Sequence, residues 1–232
     1  MGLFYYDWTY IVFMLPCLII SLICNAMVKT SFSKYSNVMN SRRLTGAQAA
    51  EKVLSANSVT GCRIEAVGGS LTDHFDPRSN VIRLSQPVYN VSSVAAVGVA
   101  CHEAGHACQH AEGYFPNKLR SAIIPVANIG SRLSWIILVI GMILPVQFNF
   151  MITIGIVLFS ASVLVTLVTL PVEFNASSRA LKTIKETGML NDSEYEGAKK
   201  VLRAAAMTYV AAAATSIMQL LRLLFIFGRR KK

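Results

Sequence analysis

Two long stretches of this chain carry no charge, and they limit its fold more than any other feature. Residues Trp8 to Val28, WTYIVFMLPCLIISLICNAMV, contain no Asp, Glu, Lys or Arg, and neither do the forty residues from Leu133 to Val172. A helix of about 20 apolar residues crosses the hydrocarbon core of a bilayer. The first stretch is therefore one crossing. The second is too long for one and is interrupted by PVQFN, which predicts a hairpin of two crossings whose first helix begins upstream, near Ala122.

Composition agrees with a membrane protein. Of the 232 residues 53% are hydrophobic and only 15% are charged, against roughly 25% charged in soluble domains. The net charge of +10 does not point to nucleic acid. The basic residues cluster beside the apolar runs without interleaved aromatics, which is the positive-inside pattern. Lys29, Lys34, Arg42 and Arg43 follow the first run and only Asp7 precedes it. That order predicts an outer N-terminus, a cytoplasmic segment after the span, and no cleaved signal peptide.

The segment 204–227 is apolar but Ala-rich and broken by Arg222. A full crossing would carry the GRRKK tail outward against the charge rule, so the helix either spans or lies in the interface. The expected order is a transmembrane helix at 8–28, a cytoplasmic catalytic segment at 29–120, a transmembrane hairpin at 121–172, a cytoplasmic helical segment at 173–203 and the apolar helix at 204–227. This describes a multi-pass protein of the cell membrane. Five cysteines, at 17, 24, 62, 101 and 108, form no CxxC pair and read as small apolar residues in a reducing compartment.

Between the first span and the hairpin, TGAQAAEKVLSAN has helical spacing with Thr45 as its cap. RIEAV, SLTDHF and NVIRLS are short runs split by turn residues, which predicts a small antiparallel meander. Asn90 is then a good N-cap for a helix from Val91 to about Glu112, ended by Gly113. The fold class expected is a mainly α integral membrane protein with a small antiparallel β-meander.

That helix contains His102-Glu103-Ala104-Gly105-His106. Two histidines at i and i+4 project from one face at the spacing that holds one Zn²⁺ through their imidazoles. Glu103 points about a quarter-turn away, toward the open position where a water would bind, and can take that water's proton. Apart from Glu103, positions 99–108 around the two histidines hold no charge, and an unliganded polar trio on such a helix would be costly to bury. Gly105 costs a helix about 1 kcal/mol and predicts close approach by another backbone, such as a sheet beside the site.

A catalytic zinc takes three protein ligands, so one more is needed. His110 lies about 12 Å along the axis from His102 and reads as a solvated or capping residue. A third histidine after a glycine turn fails, because Gln109 and Glu112 occupy those positions. Glu173 is the first charge after the forty neutral residues and stands where the chain would leave the bilayer and start a helix. It is the leading candidate, beside its plainer reading as a carboxylate at a helix start. His74, in DHFDP, remains open as a ligand or carbonyl-polarising group, although Asp73 and Asp76 explain the stretch as a turn beside an edge strand. Tyr209 is a candidate donor to a tetrahedral oxyanion or an interfacial aromatic.

In sequence, LTDHFDPRSNVIRLS, the HEAGHA helix, the hairpin, LPVEFNASSRA and LRAAAMTYVAAAATS together resemble the YugP-like membrane zinc metallopeptidases. The resemblance covers nearly the whole chain. It implies a zincin-like catalytic domain joined to transmembrane helices and a gluzincin-type site, with His102, His106 and Glu173 as zinc ligands and Glu103 as base. There is a looser similarity to the prenyl-protein and HtpX-like membrane proteases. The acidic residue those proteins carry four positions after the glutamate ligand is Ser177 here.

The function expected is a zinc-dependent endopeptidase acting on protein or peptide substrates from the cytoplasmic face, with the meander pairing the substrate as an added strand. Two other classes fit the residues less well. A non-catalytic scaffold with structural zinc has no use for Glu103. A metal transporter needs carboxylates or histidines within its spans, and the uncharged runs supply none.

Overall fold

The structure, a computed structural model, describes residues 8–228. Its elements in order are helix α1 (Trp8–Ser36), α2 (Gly46–Ala56), strands β1 (Arg63–Val67), β2 (His74–Asp76) and β3 (Val81–Ser85), then α3 (Gln86–Tyr89), α4 (Val94–Ala111), α5 (Phe115–Ile143), α6 (Asn149–Glu186) and α7 (Asp192–Gly228), with a short 3₁₀ turn at Val146–Phe148. The protein is a mainly α membrane protein with a small sheet. Four helices, α1, α5, α6 and α7, are long and apolar enough to cross a bilayer. They are longer than the uncharged runs that mark them. α1 continues past Val28 to Ser36, α5 begins at Phe115, and α6 runs unbroken through Pro171 to Glu186.

Pro171 lacks a backbone donor but does not end the helix, and apolar helices tolerate such a loss more often than soluble ones. Glu173 therefore lies inside a continuous helix and not at the start of a new one, as the sequence had suggested. Likewise the segments 173–203 and 204–227 do not separate at residue 203, since α7 is one helix across that boundary.

The chain forms two compact units. One comprises the chain up to Ile23, Leu119–Leu170 and the chain from Thr208. Leu138, Ile152, Phe159, Val163 and Leu223 form its core. Gly155 lets α5 and α6 approach closely, because a Cβ there would lie 2.7 Å from Cγ of Leu138. Ser160, Ser162 and Thr166 donate to carbonyls one turn back, and Thr166 also bonds Ser216 on α7 at 2.8 Å. The Arg222 guanidinium stacks over the Tyr10 ring at 4.9 Å. Leu18, Val126, Ile143 and Val157 stay exposed on its surface, an oily exterior suited to lipid.

The second unit comprises Cys24–Lys118 and Pro171–Met207. Its core joins Val53 and Leu54 of α2, Ile82 and Leu84 of β3, Val97 and Cys101 of α4, and Ile184 of α6. Thr45 caps α2 through a capping box with Gln48. The sheet is mixed, not an antiparallel meander: its order is β1-β3-β2, with β3 parallel to β1 and antiparallel to β2. β3 is the most buried strand, so it takes the centre, and β1, with Arg63 exposed, takes an edge. The loop from Gly68 to Asp73, with Gly69 and Leu71 at positive φ, carries the chain past β3's place, about 10 Å across two strand spacings.

The middle of the DHFDP stretch is the edge strand β2, and its two aspartates fix the loop before it and the turn after it. Asp73 accepts from the Ser85 N–H and hydroxyl, while Asp76 accepts from the Arg78 N–H, the Ser79 hydroxyl and the Arg83 guanidinium. Those hydrogen bonds, the Ser79 one first, hold the Asp76 carboxyl well below the usual carboxylate range.

The start of α4 also differs from the sequence reading. Its N-cap is Ser93, whose side chain accepts from the Ala96 N–H, and Asn90 instead ends α3. Pro87 begins that separate turn. Ser93 is further fixed by a bridge to Met39, and the Val94 N–H donates to the Val38 carbonyl. Asn40, nearly fully buried, braces this corner by donating to the Leu44 and Ser92 carbonyls and accepting from the Leu44 N–H. Replacing Asn40 by Ala removes the side-chain partner of the Leu44 N–H and carbonyl and one of the two donors to the Ser92 carbonyl, and should cost about 2–3 kcal/mol. A clear drop in the thermal unfolding midpoint of the detergent-solubilised protein is expected, and an unchanged midpoint would contradict the bracing role.

Candidate metal centre

The site is assembled by α4 and α6 within the second unit. α4 is lined with small residues, and Gly105 lets α6 come to backbone contact: a Cβ at Gly105 would lie 2.6 Å from the Ala176 carbonyl oxygen. The approaching backbone is thus a helix and not the sheet. Ala176 is one turn beyond Glu173 on α6, so this contact brings the Glu173 carboxylate to the face of α4 that carries both histidines.

Glu173 Oε2 lies 3.4 Å from His102 Nε2 and 3.5 Å from His106 Nε2. Among the described residues these three form the one group of His, Cys, Asp and Glu that could hold a metal, with ligand atoms all within 4.8 Å of one another. Ligands placed tetrahedrally at zinc distances are about 3.4 Å apart, so the two measured nitrogen–oxygen distances match an edge of that tetrahedron. The residues fit the ion.

Both imidazoles are held by their other nitrogen. His106 Nδ1 lies 3.0 Å from Gln109 Oε1. Gln109 Nε2 already donates to the Val172 carbonyl at 2.8 Å and to Asn175 Oδ1 at 2.9 Å, so Oε1 is the atom left to accept. His106 therefore carries its proton on Nδ1 and presents the Nε2 lone pair toward Glu173. His102 Nδ1 is 3.1 Å from the Ser177 hydroxyl, and the same tautomer presents its Nε2. The Ser177 hydroxyl thus fixes the His102 ring.

The network extends outward from the ligands. Arg179 Nε donates to Asn175 Oδ1 at 2.7 Å and its Nη1 to Glu112 at 2.6 Å. The Arg179 guanidinium holds the Glu112 carboxyl below its ordinary range. Gln109, Asn175 and Arg179 were not singled out by sequence reasoning. The usable signal was spacing: Gln109 is one turn after His106, and Asn175 and Ser177 follow Glu173 on the same helix.

Electrostatics favour a cation. Burial opposes charge on the His106 ring, but the Glu173 hydrogen bond and the negative charges of Glu103 and Glu173 outweigh it and raise its pKa. Glu103 is 8% exposed and Glu173 2%. Cys101 and Cys108 lie on the same helix, where burial raises both thiols, Cys108 to about 11. Neither is a thiolate near neutral pH, so nucleophilic thiol chemistry has no footing here.

The other candidates have partners or surroundings of their own. His110 is exposed, with its ring 5.6 Å from Phe75, and Glu112 pairs with Arg179. His74 is exposed on β2, its Nδ1 2.8 Å from the Thr72 carbonyl oxygen. Tyr209 is half-buried on α7 in the other unit.

Because Gln109 sets the His106 tautomer, Gln109→Leu should weaken zinc binding about 10–100-fold, measured by competition with a chromogenic chelator. Gly105→Ala should do the same by pushing Ala176, and with it Glu173, away from α4. Unchanged affinity in both variants would show that neither contact positions the ligands.

Comparison with known proteins bears on the identity of this site. A profile of the family described as "Putative neutral zinc metallopeptidase" matches residues 10–228. A protein of Bacillus subtilis (strain 168) named "Putative membrane protease YugP" is 48% identical over 200 residues, covering 86% of this chain and 88% of that one. No solved structure matches the chain. The family match takes in α4 and α6 together with all four long apolar helices, and the chain belongs to the family described as "Putative neutral zinc metallopeptidase".

Proposed function

We propose that the protein is a membrane-bound zinc endopeptidase whose single catalytic ion is held by His102, His106 and Glu173. The observation that carries this reading is the three-ligand cluster, 3.4 and 3.5 Å on its two measured edges, with the buried carboxylate of Glu103 next to His102 on the same helix. A structural zinc takes four protein ligands, whereas a catalytic one keeps a position open. Three ligands and an adjacent unused carboxylate match the second arrangement. The family and relative named above support the same chemistry.

Bound there, zinc supplies Lewis acidity, which polarises a peptide carbonyl and lowers the pKa of a water. The chain's residues do the rest. Ser177 and Gln109 hold both imidazoles with Nε2 forward. Glu103 accepts the water's proton on a carboxylate oxygen and returns it to the leaving amine. The substrate is a protein or peptide segment, membrane proteins included, bound extended along the edge strand β2, which pairs on one side only, with β3. The Phe75–His110 ring contact keeps that strand against the end of α4.

In this reading the second unit faces the cytoplasm, which the basic residues following the first apolar run support. Cysteines introduced near Arg42 and Lys185 should label only after permeabilisation, and labelling of intact cells would overturn the orientation. A tag after residue 232 reports whether α7 crosses fully.

For the chemistry, Glu103→Gln should lower cleavage of a casein-type substrate by about 10²–10⁴-fold while zinc stays near one per chain. Glu173→Ala should lose both metal and activity, and His110→Ala and Glu112→Ala should keep the metal. Full activity in Glu103→Gln would refute the peptidase mechanism. Zinc retained in Glu173→Ala would refute the ligand set.

A further inference from the structure

A second polar feature, unrelated to the metal site, lies in the same unit. The C-terminal part of α1 and the N-terminal part of α7 border a groove of about 550 Å³. The helices meet at Gly197, where a Cβ would lie 2.7 Å from Cε1 of Tyr35, and run antiparallel from there. Three cations line the groove, Lys34 from α1 and Lys200 and Arg203 from α7, and no carboxylate does. All three are exposed, and among the described residues none forms an ion pair; Lys34 meets only the Tyr35 ring, at 5.6 Å. Like charges gathered without a counter-charge repel one another, so the groove is built for an anion.

The sequence places this anion at a particular depth. Met27 and Met207 line the same groove. Met27 belongs to the uncharged run that ends at Val28, and Met207 to the eighteen uncharged residues from Ala204 to Leu221. Lys34 lies about 9 Å beyond Val28 along the helix, and Arg203 directly precedes Ala204. On both helices the cations therefore stand just past the end of an apolar run, and the methionines stand just inside it. One end of the groove is cationic and the other apolar, the order of headgroup and acyl chain in a phospholipid.

We propose that this groove binds an anionic glycerophospholipid, its phosphate held by Lys34, Lys200 and Arg203 and its acyl chains leaving past Met27 and Met207. A zwitterionic lipid offers the same phosphate but adds an ammonium that the three cations would repel. Free phosphate offers the charge without the apolar contact.

Native mass spectrometry of the delipidated, detergent-solubilised full chain, titrated with short-chain phosphatidylglycerol or phosphatidylcholine of the same acyl length, tests this. The expected result is one phosphatidylglycerol bound at least tenfold more tightly than phosphatidylcholine. Lys34→Gln/Lys200→Gln/Arg203→Gln should abolish the preference, and Arg203→Gln alone should reduce it. Lys52→Gln/Arg78→Gln/Lys185→Gln, an equal charge loss at exposed positions outside the groove, should keep it. Inorganic phosphate at millimolar concentration should not displace the lipid. Equal binding of the two lipids, or a preference lost equally in both triple variants, would overturn the proposal. Displacement by inorganic phosphate would show that the groove recognises a free anion and not a lipid. Each readout is binding alone, so it stands apart from any loss of peptidase activity.

Discussion

The arrangement of this site depends on one close contact, that of Gly105 with the Ala176 carbonyl. A helix carrying two histidines can present two imidazoles, but it cannot supply a third ligand from the opposite direction. Only a second helix at backbone distance can, and only a residue without a side chain permits that distance. Gly105 sits between His102 and His106, so the helices touch at the level of the ligands themselves. Glu173 is then delivered to both Nε2 atoms at nearly equal distance. The helix-propensity cost of the glycine is offset by the geometry it allows.

A second consequence follows from the continuity of α6. The helix that carries Glu173 is the same helix that carries the uncharged run ending at Val172. The Val172 carbonyl accepts from Gln109, and Gln109 orients His106. Backbone that would otherwise serve only the helix thus takes part in fixing a ligand.

Much of this was legible in the residues, and what was not has physical causes. The HEAGH spacing declares two ligands from helical period alone, and the long uncharged runs declare helices suited to a bilayer. Glu173 stood out because it ends forty neutral residues. The sheet order is not legible because short runs separated by turns look antiparallel, and nothing local reports that β3 is buried at the centre. The N-cap is ambiguous in sequence because Asn90 and Ser93 are both good caps, and in the structure Ser93 takes the role with the bridge to Met39 beside it. A helix start at Glu173 is expected from the end of the uncharged run, but charge marks the edge of an apolar stretch and not the end of a helix. The Gln109–Asn175–Arg179 network was invisible because it joins two helices more than sixty residues apart in sequence.

The central claim is that two imidazoles and one carboxylate hold zinc with a position left open. X-ray absorption at the zinc edge of the loaded, purified protein tests it directly, since sulfur and light-atom ligands scatter differently and at different distances. The account predicts one zinc per chain, only nitrogen and oxygen neighbours at about 2.0–2.2 Å, and an imidazole signature equivalent to two histidines. A sulfur shell at about 2.3 Å, which would implicate Cys101 or Cys108, or a signature of a single histidine, would contradict it.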